Sequence, residues 1–204
     1  MNILLATHNR HKAEEIERIL ADLPGLSLIT LQDISLDIPE PIEDGSTLEE
    51  NAWIKAKEMH DATGLPVLAD DTGLEVEALG GAPGVYSARY AGEEATYDDN
   101  CHLLLDKLKG RSDRNARFRT VICYVDQFRT LFAEGDVEGE IMESKDGEGG
   151  FGYDPIFRPE GAEETFARMT SDEKNRISHR GRAIRNLHAL LAPYLSEMTE
   201  RENA

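Results

Sequence analysis

Three short apolar runs, at residues 3–6, 26–31 and 66–69, alternate with longer stretches of helical spacing, and that alternation limits the fold more than any other feature. Runs this short read as buried strands, because a helix needs about ten residues or more to bury a face. Between the first two runs, Ile16, Ile19, Leu20 and Leu23 recur on one helical face until Pro24-Gly25 stops them. After the second run, residues 33–45 hold Pro39 and Pro41 and read as irregular. Thr47-Leu48-Glu49-Glu50 then has the form of a capping box, which predicts a helix from there to Thr63, stopped by Gly64. Beyond the third run, residues 74–79 read as another strand, followed by the glycine-rich loop Gly80-Gly81-Ala82-Pro83-Gly84. A second capping box, Thr96-Tyr97-Asp98-Asp99, opens a helix that Gly110 closes. Residues 116–126 and 129–141 alternate as a long antiparallel hairpin, and residues 147–155 form a flexible loop. Ile184, Leu187, Leu190 and Leu191 put a helical face on residues 178–195. The order predicts a mixed α/β fold. With no internal repeat and no linker, residues 1–204 read as a single domain, with at most two lobes.

Charge narrows the function. Forty acidic residues against 22 basic ones give a net charge of −18, which repels DNA and RNA and argues against a nucleic-acid-binding module. No apolar stretch approaches the roughly 20 residues that span a bilayer, and the first residues lack the cationic segment of a signal peptide. Cys101 and Cys123 are too few for a disulfide framework, so a soluble protein of the reducing cytoplasm is expected. Lysine occurs only seven times, so an anionic ligand needs a local cationic patch. The position of each lysine is therefore informative.

The first candidate patch is Thr7-His8-Asn9-Arg10-His11-Lys12. A strand running through a polar turn into a helix aims backbone N–H groups and the positive helix end at one place, which suits phosphate. Equally, Thr7 or Asn9 can cap the helix while Lys12 is solvated. Lys55 falls on or beside the inward stripe Leu48, Ala52, Ala56 and Met59. It either meets an anion there or snorkels to water. Lys57 points elsewhere.

Asp70-Asp71 closes an apolar strand, at the end of a strand where open α/β sheets bind ligands. Successive strand side chains face opposite ways, so the two carboxylates are expected to have different jobs. One can hold Mg²⁺ or take a proton from water, with Glu43 a second oxygen ligand; alternatively, Asp71-Thr72-Gly73 is only a turn. Phe151-Gly152-Tyr153-Asp154, among glycines, suits stacking on a base or plugging a lobe. Lys174 and Ser178-His179-Arg180 open the last helix, where His179 and Arg180 offer donors to carbonyl or phosphate oxygen, or else form a capped, solvated helix entrance.

At these residues the chain resembles the inosine/xanthosine triphosphate pyrophosphatase family. The matching stretches are residues 5–12, 50–56, 69–74 and 80–90, together with Phe151-Gly152-Tyr153-Asp154-Pro155 and Lys174 through Gly181. The resemblance implies a long central sheet splitting into two lobes around a nucleotide cleft, in a homodimer. It implies Mg²⁺-dependent cleavage of a purine triphosphate to the monophosphate and pyrophosphate. Residues 7–12, Lys55 and Lys174 would bind the phosphates. Asp71 would bind Mg²⁺ and accept the proton, with Glu43 as additional metal ligand and Asp44 beside it. Thr72, where the family often has Ser, keeps a hydroxyl for the substrate. Phe151 to Asp154 and His179-Arg180 would hold the purine.

Overall fold

In the computed structural model, residues 2–21, 27–31, 33–34, 38–39 and 41–202 are described. Leu23, Pro24, Gly25 and Leu26 lie outside them. The elements are β1 (Asn2–Leu5), α1 (Arg10–Ala21), β2 (Ser27–Thr30), α2 (Leu48–Thr63), β3 (Val67–Val76), β4 (Pro83–Gly84), α3 (Tyr97–Lys107), β5 (Asn115–Val125), β6 (Thr130–Ile141), β7 (Phe157–Pro159), α4 (Ser171–Ile177) and α5 (His179–Glu202). Seven strands form one sheet in the order β2-β1-β3-β5-β6-β7, with β4 on β3. The mixed α/β expectation holds. β1 runs parallel to both β2 and β3, with Leu4 opposite Val67, while β7 returns antiparallel along β6.

The chain divides into two compact units. Unit 1 comprises residues 1–71, 120–135 and 180–204, and unit 2 comprises residues 72–119 and 136–179. Each has its own core. In unit 1, Ile3, Leu5 and Leu68 of the sheet pack with Ile16, Ile184, Leu187 and Leu191 of α1 and α5. In unit 2, Leu74, Phe118 and Val137 pack with Leu104, Phe157 and Phe166. Burying each such side chain contributes about 1.5–3 kcal/mol.

Local chemistry explains most boundaries. Thr47 caps α2 by accepting from the Glu50 amide at 3.1 Å, and Gly64 ends the helix in the left-handed conformation that glycine tolerates. The Glu50 carboxylate, however, reaches back to Ser46, taking both its amide and its hydroxyl. Thr96 and Asp99 form a reciprocal capping box at α3. That helix stops at Lys107, before Gly110. On α5, Leu190 is 48% exposed while Ile184, Leu187 and Leu191 are fully buried. Leu190 sits about 100° around the helix from Leu191, off the stripe.

The largest departure from the sequence reading lies in β3. Residues 70–73 are neither a turn nor a break, and one ten-residue strand continues through them. The expected alternation of Asp70 and Asp71 therefore occurs inside regular pleat.

Candidate active site

In unit 1, Asn9 caps α1: its Oδ1 accepts from the amides of His11 at 3.1 Å and Lys12 at 3.3 Å. Thr7 Oγ1 in turn accepts from the Asn9 amide. The capping alternative for this turn is thus correct, and it also fixes Lys12 in the first turn of α1. Lys12 is not solvated. Its Nζ lies 3.3 Å from Asp70 Oδ2. His8 and His11 are exposed, and Arg10 pairs with Glu14 at 2.7 Å on the outside of the helix, away from that contact.

Asp70 has a fully buried side chain, which also meets Arg180 Nη2 at 3.4 Å. The other amino group of Arg180 pairs with Glu15 of α1. Burial opposes charge on Asp70, but Lys12, Arg180 and Lys55 outweigh it and hold its carboxyl far below the usual aspartate range. Arg180, expected from the sequence to hold the purine, has its guanidinium buried between two carboxylates of its own unit. Arginine suits that position because its planar fork can face two acceptors at once.

Asp71 takes the opposite face of β3. Its Oδ1 is 3.4 Å from Lys55 Nζ, and its Oδ2 accepts from Asn51 Nδ2 at 3.2 Å. Lys55 also meets Glu43 Oε2 at 3.1 Å. The ammonium is therefore buried between two carboxylates and does not snorkel. Burial works against its charge, yet Asp71, Glu43 and Asp70 together raise its pKa. Burial pushes the Asp71 carboxyl up, because Lys55 and Lys12 offset it only in part and Glu43 adds repulsion. Three carboxylates share two lysines.

Glu43 and Asp71 supply the hard oxygen donors that Mg²⁺ takes, and one cationic group already sits between them. Among the described residues, no group of three or more His, Cys, Asp or Glu side chains could enclose a metal. A divalent ion held by this pair would take water and substrate oxygens as its remaining ligands. Thr72 follows in the strand, half-buried and assigned to unit 2.

In unit 2, Asp154 organises the glycine-rich loop by accepting from the Phe151 amide at 2.8 Å and from Lys174 Nζ at 2.7 Å. A side chain at Gly150 would place its Cβ 2.1 Å from Asp154 Oδ2, in a left-handed backbone conformation, so only glycine fits there. The ammonium of Lys174 lies 4.9 Å from the Phe151 ring centre. Lys174 is thus brought to this loop within its unit. Phe151 is half-buried and has Tyr97 beside it at 5.9 Å. Tyr153 is buried and donates its hydroxyl to the Ser87 carbonyl at 2.9 Å, so it plugs the unit and is not a stacking surface. Gly152 accepts from the Cys101 thiol through its carbonyl. His179 stacks on Phe118 at 4.5 Å with the rings 16° apart. Asn51 went unrecognised from sequence as a site residue, although its place on the inward stripe one turn before Lys55 was the available signal.

The chain is similar to known proteins over nearly its whole length. The chain matches the Ham1 family over residues 3–190. It is 48% identical over 193 residues to the dITP/XTP pyrophosphatase of Christiangramia forsetii, covering 94% of this chain and 100% of that protein. It is 49% identical over 206 residues to the dITP/XTP pyrophosphatase of Thermus thermophilus, covering 99% of this chain and 96% of that one. Among solved structures, the Staphylococcus aureus Ham1 protein superposes with a TM-score of 0.84 at 40% identity, covering 95% of this chain and 100% of that chain. The fold, the matched length and the level of identity together show that this chain is a member of the Ham1 family.

Proposed function

We propose that the protein hydrolyses non-canonical purine nucleoside triphosphates, those of inosine and xanthosine, to the monophosphate and pyrophosphate. The observation that carries the reading is Asp71, a buried carboxylate between Lys55 and the Asn51 amide, with Glu43 across the same ammonium. Relatives that share nearly the whole chain are named dITP/XTP pyrophosphatases, which supports it.

In this reading, Asp71 takes a proton from water as the water oxygen attacks the α-phosphorus. The bond from that phosphorus to the bridging oxygen breaks, and pyrophosphate leaves with the electron pair. Water is a poor nucleophile until a base takes its proton, and Asp71 is the carboxylate assigned that role. Mg²⁺ held by Glu43 and Asp71 would supply charge neutralisation at the phosphate oxygens. Lys12 and Lys55 would bind the phosphates, with the other residues of the 7–12 turn and the Thr72 hydroxyl. Phe151, Gly152, Asp154 and His179 would serve the purine, with Lys174 holding the loop through Asp154. Arg180 would act by bracing Asp70.

A donor set against the 6-oxo group of these bases leaves the adenine amino group opposite a donor. An unsatisfied buried donor costs about 1–3 kcal/mol, which gives roughly a ten- to hundredfold preference. The test is a panel of ITP, dITP, XTP, GTP, ATP and dTTP with product identification. Pyrophosphate released fastest from ITP or XTP, and abolished by EDTA, is the expected result. Faster hydrolysis of dTTP, or stepwise release of phosphate, would overturn the assignment, and binding without turnover would make the protein a nucleotide sensor. The same reading carries a cytoplasmic homodimer, checked by sedimentation. Among the described residues, no helix is long and apolar enough to cross a membrane.

A further inference from the structure

We propose that Asn51 is a positioning residue for the reaction, its single amide tying Asp71 to the loop that carries Glu43. The inference rests on the reading of Asp71 and Glu43 as the reacting pair. Asn51 is fully buried, on α2 four residues before Lys55, so both side chains leave the same face of the helix. They address the two oxygens of one carboxylate: Asn51 Nδ2 donates to Asp71 Oδ2 at 3.2 Å, while Lys55 Nζ meets Asp71 Oδ1 at 3.4 Å. The other end of the Asn51 amide faces the loop. Its Oδ1 accepts from the Gly45 amide at 2.8 Å, two residues after Glu43.

Residues 41–45 form no helix or strand, so bonds such as this one decide where Glu43 stands. A reversed amide would set oxygen against the Asp71 carboxylate and an NH₂ group against the Gly45 N–H, so its orientation is fixed from both ends. The loop is also shaped to this contact. A Cβ on Gly45 would lie 2.6 Å from Asn51 Oδ1 and 2.7 Å from Glu50 Cβ. Glycine at position 45 is therefore what lets the loop backbone close on the amide. One buried side chain thus sets the separation of two carboxylates that come from distant parts of the sequence. Partners that orient metal-facing carboxylates typically carry 10- to 100-fold in affinity or activity.

The test uses the full-length protein and approaches the contact from both sides, with Asn51→Ala and Gly45→Ala, beside Asn51→Asp. Mn²⁺ binding to the nucleotide-free protein is followed by electron paramagnetic resonance, and ITP turnover is titrated with Mg²⁺. Asn51→Ala and Gly45→Ala are each expected to weaken Mn²⁺ binding about tenfold and to lower kcat about 10- to 100-fold with little change in the KM for ITP. Asn51→Asp, which sets a carboxylate against Asp71, is expected to lose more kcat than Asn51→Ala. A purely structural asparagine would lower the melting temperature while the folded protein kept wild-type Mn²⁺ affinity and kcat, and that result overturns the proposal. Should Asn51→Ala not fold, Gly45→Ala decides alone. If the wild-type protein turns over no ITP, the functional reading fails by itself, and the Mn²⁺ comparison still decides whether Asn51 sets the carboxylates.

Discussion

Replacing Arg180 by methionine tests whether the buried charges of unit 1 form one mutually dependent network. The guanidinium side chain is 2% exposed, Asp70 is fully buried, and Glu15 is 15% exposed. Methionine keeps most of the length and apolar volume while deleting the charge. Removing one partner of a buried ion pair costs about 3–5 kcal/mol, because it leaves an uncompensated charge out of water. Here the lower end applies: Lys12 still faces Asp70 at 3.3 Å, and Glu15 can turn toward solvent. A loss of about 3 kcal/mol in a protein of this size lowers the melting temperature by about 6–12 °C. Calorimetry and urea unfolding of Arg180→Met, Asp70→Asn and the double variant give the full cycle. The double variant is expected to lose clearly less than the two single losses added together, because a neutral amide in place of the Asp70 carboxylate no longer needs the arginine. A melting temperature for Arg180→Met within about 1 °C of wild type, or strictly additive losses, would refute the network.

Further outcomes follow from the site and from the far end of unit 1. Asp71→Asn is expected to lower turnover about 10²- to 10⁴-fold while nucleotide binding stays measurable; undiminished turnover would show that Asp71 is not the base. Lys55→Ala should weaken triphosphate binding far more than nucleoside binding in calorimetric titrations, and equal losses would place the lysine away from the phosphates. Asp126 accepts from the hydroxyls of Tyr124 and Tyr194 and from the amides of Phe128 and Arg129. Burial works against its charge, but these four donors outweigh it and hold its carboxyl below the ordinary range. A carboxyl depressed in the folded state adds stability above its unfolded pKa of about 3.9, and that stability is lost as pH falls through the folded value. Tyr194→Phe should therefore cost about 1 kcal/mol at pH 7 and less at pH 3, in urea titrations at both pH values; a constant difference would remove Asp126 from the account.

What the sequence discloses here is the part governed by short-range rules. Thr47 and Thr96 announce their helices because capping needs only residues three apart, and the hairpin shows itself through alternation. Lys55 could be placed on the inward face of α2 by spacing alone, but its anion could not be named, since Glu43 and Asp71 approach from other elements. Spacing puts Asn51 on the same inward face one turn before Lys55, but its job becomes readable only once both of its partners are known. Tyr153 and Phe151 look alike in sequence, and only the Ser87 carbonyl, 66 residues away, separates a plug from an accessible ring. Arg180 is adjacent to His179 in the chain, yet one meets Asp70 while the other stacks on Phe118. Neighbouring side chains at a helix start diverge by about 100°, so motif membership does not imply a shared job.

The charge count of unit 1 makes a final demand on the proposed chemistry. Around β3, three cations (Lys12, Lys55 and Arg180) face four carboxylates (Glu15, Glu43, Asp70 and Asp71). The cluster carries a formal excess of negative charge, inside a protein whose net charge is −18. A triphosphate arriving without a counter-ion would have to draw the lysines away from carboxylates they already hold, and would leave those carboxylates uncompensated. A divalent cation reverses the balance, because its two charges turn the excess positive and meet Glu43 and Asp71 as the ammonium turns to phosphate. Nucleotide binding should therefore depend on the metal more steeply than Coulomb screening of a free triphosphate accounts for. Calorimetric titration of ITP into the protein with Mg²⁺ and with EDTA measures this at constant ionic strength. Removing the negative charge with Glu43→Gln should narrow the gap between the two conditions by strengthening binding in EDTA. If Glu43→Gln leaves binding in EDTA unchanged, the surplus carboxylate is not what holds the phosphates off, and the charge argument fails.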